Sequence, residues 1–308
     1  MAWDCAFDGA GRWNVLYSGD VFERGGGVSY SLFDTGLIWI VAGEKGLNVM
    51  TNEIRNLYKV DESFGDTALQ FRLEQYHKIK ASLTPSEKEC WEQRFLTEFI
   101  HNTTAIEGNT ISRLGVKAIL EDGIILEEAT VRELQEVMDS CEAWHFVVEC
   151  VESRKPLSEE RIKDVHEKVL KWGGLYRDHS VYIRGDGFHV PPSAPKVRLL
   201  MKEFLADMEL KKDLAPIEKA AWIHAEFVKI HPFSDGNGRT SRLMMNYILM
   251  ESGYPPVDIA KESKAEYFKA LDYYATVGDI KPFVQIVTDG LNIQLDIFLD
   301  LYGYCFAE

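Results

Sequence analysis

The twelve residues His231-Pro-Phe-Ser-Asp-Gly-Asn-Gly-Arg-Thr-Ser-Arg242 decide how this 308-residue chain is read. An apolar-periodic stretch from about 215 runs to Ile230, and Pro232 stops it because proline cannot continue the helical hydrogen-bond ladder. Gly236-Asn237-Gly238 permits a tight turn and close backbone approach by a ligand. A second periodic stretch follows through Leu243, Met244, Tyr247 and Ile248. The pattern predicts a glycine turn at a helix N-terminus, where free N–H groups and the positive dipole end attract phosphate. Arg239 and Arg242 add positive charge in the first turn. Asp235 offers the hard oxygen that Mg²⁺ prefers beside phosphates, and His231 carries a side chain that can take a proton near neutrality. Any one of these features reads as a helix corner with a capping aspartate. Together they form the set that phosphoryl and nucleotidyl transfer requires, because such catalysis is mostly positioning and charge stabilisation.

The rest of the chain is ordinary soluble globular sequence, with 46% hydrophobic and 27% charged residues. A net charge of −15 repels nucleic acid and anionic membrane, so neither is expected as a partner. The five cysteines (Cys5, Cys90, Cys141, Cys150, Cys305) form no CxxC pair and are odd in number, which reads as reduced thiols in a cytosol-like compartment. The start lacks a signal-peptide pattern, and the apolar run Leu37 to Ala42 is too short to span a bilayer, so a cytoplasmic location is expected. Asn102-Thr103-Thr104 fits a glycosylation sequon by accident on this reading. His77, His101, His145, His166, His179 and His224 are scattered without metal-ligand spacing and read as structural.

Three regions are expected. Residues 1–60 are glycine-rich and alternate around Trp13 and Val15, Tyr30 and Leu32, then Leu37 and Trp39, which predicts a small β-rich N-terminal segment of unknown role. Residues 61–130 and 131–308 are helical, with apolar periodicity over about 71–80, 86–102, 130–152, 195–211, 215–230, 237–252, 263–277 and 280–301. Ser158 reads as a helix cap, and Pro195 and Pro216 sit near helix starts, where proline is tolerated. One island, Ser180-Val-Tyr-Ile-Arg-Gly-Asp-Gly-Phe-His-Val-Pro-Pro192, reads as a β-hairpin turning at Gly185-Asp186-Gly187. The fold class is therefore mainly α, with one hairpin.

The 231–242 segment resembles the Fic-family signature His-Pro-Phe-x-(Asp/Glu)-Gly-Asn-Gly-Arg-x-x-Arg at every fixed position. The resemblance implies a Fic-type helical bundle with a β-hairpin flap, and an enzyme that transfers AMP from ATP to a Ser, Thr or Tyr hydroxyl of a target protein. It implies His231 as the catalytic base, Asp235 as the Mg²⁺ ligand, and Gly236, Asn237, Gly238, Arg239 and Arg242 around the phosphates, with Arg242 on the γ-phosphate. Phe233 would anchor the loop. Thr103-Thr-Ala-Ile-Glu107-Gly108 resembles the family's inhibitory motif, (Ser/Thr)-x-x-x-Glu-(Gly/Asn), so that Thr103, Glu107 and Gly108 would form a lock in which Glu107 occupies Arg242. The 180–192 hairpin matches the place of the target-binding flap, with Val181, Tyr182 and Ile183 as the edge that pairs with the target backbone. Tyr267 or Phe268 is expected to wall the adenine. ATP and Mg²⁺ are the implied cofactors. A homodimer is allowed for, with no interface visible in the sequence. Two other readings stand: removal of AMP at the same site, with Glu107 orienting a water, and an inactive core that serves as a binding module.

Overall fold

The computed structural model describes four short strands within residues 1–61, and residues 62–303 apart from Glu127 and 182–189. Strand β1 (Cys5–Asp8) pairs antiparallel with β2 (Arg12–Val15), and β3 (Tyr30–Leu32) pairs antiparallel with β4 (Ile38–Ile40). The chain divides into two compact units, Met1–Ala68 and Leu69–Glu308.

The second unit is helical. Its described helices are α1 (Glu62–Ser82, which begins in the first unit), α2 (Pro85–Ile106), α3 (Arg113–Asp122), α4 (Val131–Glu152), α5 (Glu159–Val169), α6 (Ala194–Leu210), α7 (Pro216–Ile230), α8 (Asn237–Glu251), α9 (Lys264–Val277) and α10 (Lys281–Tyr302). Their starts follow from local chemistry. Thr84 with Glu87 and Thr130 with Glu133 form reciprocal capping boxes that satisfy otherwise orphaned backbone donors at α2 and α4. Ser158 caps α5 through the Arg161 N–H. Prolines occupy the first turns of α2, α6, α7 and α10, where no N–H is missed. Helix α3 lies in a stretch that apolar periodicity did not single out. It is short, capped by Ser112 and ended by Gly123 in the left-handed region. No described helix is long and apolar enough to cross a membrane.

Helix α8 is the centre of the unit. It packs on α2, α4, α5 and α7, and its residues from Leu243 to Leu249 are all buried. One side of it belongs to a large core with Phe227, Phe233, Met244, Met245, Phe283 and Leu291, and the other to a second core with Phe95, Phe99, Trp144, Val165 and Tyr247. A helix enclosed all round is normally apolar all round. This one begins Asn237-Gly-Arg-Thr-Ser-Arg242, so its N-terminal turn places two guanidinium groups inside the protein. Asn102 of the apparent sequon is buried on α2 with its amide donating to Asp258 (2.5 Å).

Candidate active site

His231 caps the C-terminus of α7 with φ 51° and ψ 60°, a left-handed conformation unusual for a residue with a Cβ. Such a conformation persists only where its surroundings fix it. The His231 N–H donates to the Phe227 carbonyl (2.9 Å), and the His231 carbonyl accepts from Arg177 Nε (2.8 Å). The turn aims the imidazole into a cavity of about 690 Å³. Burial pushes its pKa down to about 4, with Arg177 acting in the same direction and the charges of Glu107 and Asp235 opposing it. The ring is therefore neutral, and able to accept a proton, throughout the neutral range.

The loop behind His231 is held from within. Phe233 is fully buried and stacks on His166, with ring centroids 3.6 Å apart. The Asn237 side chain closes the turn, its Oδ1 accepting from the Phe233 N–H (2.9 Å) and its Nδ2 donating to the Phe233 carbonyl (2.9 Å). Asn237 also lines the cavity, at the start of α8. Gly236 takes φ 74°, and a Cβ there would press on Leu170, His166 and Val169 at 3.1–3.3 Å.

His166, read from the sequence only as structural, fixes this loop directly. The Gly174 N–H donates to its Nδ1 (2.8 Å), so Nε2 carries the proton and donates to the Asp235 carbonyl (2.8 Å). A second ring proton would point Nδ1–H at an N–H, and burial lowers the pKa to about 4. The ring thus folds neutral and charges once unfolded, where its pKa is near 6.5. The unfolded chain binds the extra proton between those values, so stability falls as pH drops from about 6.5 to 4. Over that window His166 accounts for a loss on the order of 3 kcal/mol. Urea unfolding at pH 7.5, 6 and 5 is expected to show that decline, and His166→Gln to be less stable at pH 7.5 but flatter with pH.

The first turn of α8 faces the same cavity. Arg239 is 3% exposed, and its Nε and Nη1 have no hydrogen-bond partner among the described residues. Arg242 is 2% exposed and fully engaged. Its Nε donates to Thr103 Oγ1 (2.7 Å), Nη2 donates to the Thr103 carbonyl (2.9 Å) and to Glu107 Oε1 (2.7 Å), and Nη1 donates to the Tyr267 hydroxyl (3.3 Å). Behind Arg242 lies a buried polar cluster, with His224 Nε2 within 3.0 Å of the Tyr267 hydroxyl and 3.1 Å of Ser241 Oγ. Glu107 ends α2, and Gly108 turns the chain away at φ 104°. A Cβ added to Gly238 would lie 2.4 Å from Glu107 Oε1. The carboxylate thus sits over the backbone at the α8 N-terminus, where that helix attracts an anion.

One cavity therefore collects Glu107, Val181, His231, Asp235, Gly236, Asn237, Gly238, Arg239, Arg242, Tyr267 and Phe268. Thr103 reaches it only through Arg242. Tyr182 and Ile183, with the turn of the expected hairpin, lie outside the described residues. Tyr267 is 1% exposed with its hydroxyl at Arg242 and His224, whereas Phe268 is half-buried with Lys264 Nζ over its ring (5.8 Å). Between the two expected adenine walls, Phe268 has the more accessible ring. Arg132, ion-paired with Glu136 (2.9 Å), and Lys264 also line the cavity and had no motif to announce them. Among the described residues no group of three or more His, Cys, Asp or Glu side chains could hold a metal by itself. Asp235, exposed on the loop with Oδ1 accepting from the Gly236 N–H (2.7 Å), suits an ion that arrives with phosphate and water ligands.

Residues 156–249 match the model of the Fic/DOC family. Protein adenylyltransferase Fic of Drosophila grimshawi is 33% identical over 258 residues, covering 82% of this chain and 50% of that protein. The Drosophila ananassae protein of the same name is 35% identical over 230 residues, covering 72% of this chain and 44% of its own length. The chain thus spans about half the length of these curated relatives. Among solved structures, Fic-1 from C. elegans superposes with a TM-score of 0.69 at 26% identity, covering 85% of this chain and 80% of that one. A Fic-domain-containing signaling protein from Bacteroides thetaiotaomicron superposes with a TM-score of 0.67 at 26% identity, covering 74% and 96%.

Proposed function

The chain belongs to the Fic/DOC family through its residues 156–249, and on that premise we propose that it transfers AMP from ATP to a hydroxyl side chain of a target protein. The observation that carries this reading is the meeting of a neutral His231 with Arg239 and Arg242 in one cavity at the α8 N-terminus. The first-turn N–H groups of α8 and the Arg239 guanidinium suit the phosphates, and Arg242 suits the γ-phosphate. The target hydroxyl oxygen attacks the α-phosphorus, its new bond replaces the bond to the β-phosphate, and pyrophosphate leaves. His231 takes the hydroxyl proton. Asp235 would hold Mg²⁺, which would supply neutralisation of the phosphate charge. The apolar side chains of Val228, Phe268 and Leu271 line the same cavity and offer the nucleobase a wall.

We infer further that the resting protein is autoinhibited. Glu107 takes both the Arg242 guanidinium and the position over Gly238, so an ATP that enters cannot settle its γ-phosphate there. One observation favours a second direction. The Glu107 side chain is 35% exposed in the cavity that holds His231. A carboxylate so placed can orient a water to cleave AMP from a modified protein, with His231 returning the proton. Incubating an AMP-modified protein with wild type and with Glu107→Gly separates these roles, since loss of AMP with wild type alone identifies the removal reaction.

Transfer is tested with α-labelled ATP and Mg²⁺ on the released Glu107→Gly protein. Asp235→Ala in that background is expected to lower the rate by at least about a hundredfold. Raised Mg²⁺ should restore only part of it. Full activity of Asp235→Ala would remove this residue from the metal's ligands.

A further inference from the structure

Arg177 is not among the residues that line the cavity. It is 4% exposed, yet it has no carboxylate partner among the described residues. Its contacts are all with backbone carbonyls. Nε donates to His231 (2.8 Å), Nη1 to His179 (3.0 Å) and Nη2 to Pro192 (2.5 Å), while its own backbone N–H donates to Pro232 (2.9 Å). His179 and Pro192 flank the segment 180–191, whose first residues Ser180 and Val181 line the cavity together with His179. An unpaired buried cation is an expensive way to satisfy carbonyls, because it is desolvated without a counter-charge. Only a rigid planar fork reaches three diverging carbonyls from one side chain, and only a cation places a fixed charge beside His231.

We propose that Arg177 is a positioning residue for the reaction, one that ties the catalytic histidine, and the His179 and Pro192 backbone on either side of residues 180–191, to a single fixed guanidinium. The inference rests on the adenylyl-transfer reading for its rate consequence alone. The left-handed turn at His231 leaves the carbonyl of that residue without a helical partner, and Arg177 supplies the partner. The same cation opposes protonation of the imidazole. The other groups that act on His231 are the Val228 carbonyl on its own helix, Glu107 from α2 and Asp235 from the loop, and all three favour the protonated ring.

Two variants of the full chain separate positioning from bulk stability, each made in the Glu107→Gly background. Arg177→Gln removes the charge and the fork, whereas Arg177→Lys keeps the charge and removes the fork. Both are expected to lower kcat for AMP transfer about tenfold to a hundredfold while KM for ATP stays within about twofold, because the phosphate groups are untouched. A nuclear magnetic resonance titration of His231 in nucleotide-free protein, assigned by loss of its signal in His231→Ala, needs no activity. Its midpoint is expected to move upward in Arg177→Gln and to stay near the parent value in Arg177→Lys. Unchanged kcat in folded variants, or equal losses in kcat and ATP binding that follow thermal stability, would overturn the proposal. If Arg177→Gln does not fold, Arg177→Lys decides alone, and a parental kcat there refutes it. Absence of transfer in the parent would count against the function, and the titration would then decide on Arg177.

Discussion

Replacing Glu107 by glycine is expected to raise AMP incorporation by roughly ten- to a hundredfold. The estimate comes from one interaction. Glu107 Oε1 accepts from the buried Arg242 at 2.7 Å, and a hydrogen bond between charged groups contributes about 1.5–3 kcal/mol. Each 1.4 kcal/mol is a factor of about ten in a rate that depends on freeing that group. The same substitution withdraws the carboxylate from the face of Gly238, which opens the α8 N-terminus to phosphate. It leaves Arg242 with Thr103 and Tyr267 only, so the nucleotide-free variant is expected to melt at a lower temperature than wild type. ATP with Mg²⁺ should then stabilise the variant more than wild type, because binding only to the folded state raises the melting point. Higher activity with lower unliganded stability is the pattern to look for in paired assays of labelled AMP incorporation and thermal melting. A variant no more active than wild type, with ATP bound, would mean that Arg242 is not the limiting contact.

Adding His231→Ala to the Glu107→Gly protein is expected to lower transfer by about a hundredfold to ten-thousandfold. Among the described residues, His231 and His179 are the imidazoles that line the cavity, and the lowered pKa of His231 keeps it unprotonated at physiological pH. It contacts neither Arg239 nor Arg242 among the described hydrogen bonds, so ATP affinity is expected to change by less than about threefold. The pH dependence follows from the sign of the shift. A base whose pKa has fallen to about 4 is almost wholly unprotonated between pH 5 and 8, so the rate is expected to be nearly flat there and to fall on acidification through about 4. Initial rates of labelled AMP incorporation across pH 4–8, with equilibrium ATP binding alongside, check both halves. Loss of ATP binding in step with activity would assign His231 to nucleotide binding instead of proton transfer.

The 231–242 segment was legible because its chemistry is local. The turn glycines, the helix start and the arginines lie within a few residues, and each has a physical reason that a sequence displays. The Arg242–Glu107 contact spans 135 residues, and only the resemblance of Thr103 to Gly108 to an inhibitory motif brought the two together before the coordinates did. Asn237 has a structural role that the motif does not display, since its amide closes the loop on Phe233. His166 leaves a trace in the sequence: it falls with Ile162, Val165 and Val169 on the buried stripe of α5, an uncommon place for a titratable ring. The role of Arg177 left none, because carbonyl acceptors at 179, 192 and 231 carry no side-chain signature. Helix α3 escaped the periodicity because ten residues give too few turns, although Ser112 and Gly123 bracket it as cap and stop.

The central claim is AMP chemistry governed by access to Arg242. Intact-protein mass spectrometry of the Glu107→Gly chain, incubated with ATP and Mg²⁺ beside wild type and the Glu107→Gly/His231→Ala variant, tests it most directly. The expected result is the mass increment of AMP on the Glu107→Gly protein or on an added target, little on wild type and none on the double variant. A folded, ATP-binding Glu107→Gly protein that gains no mass, or gains that of a phosphate or another group, would contradict it.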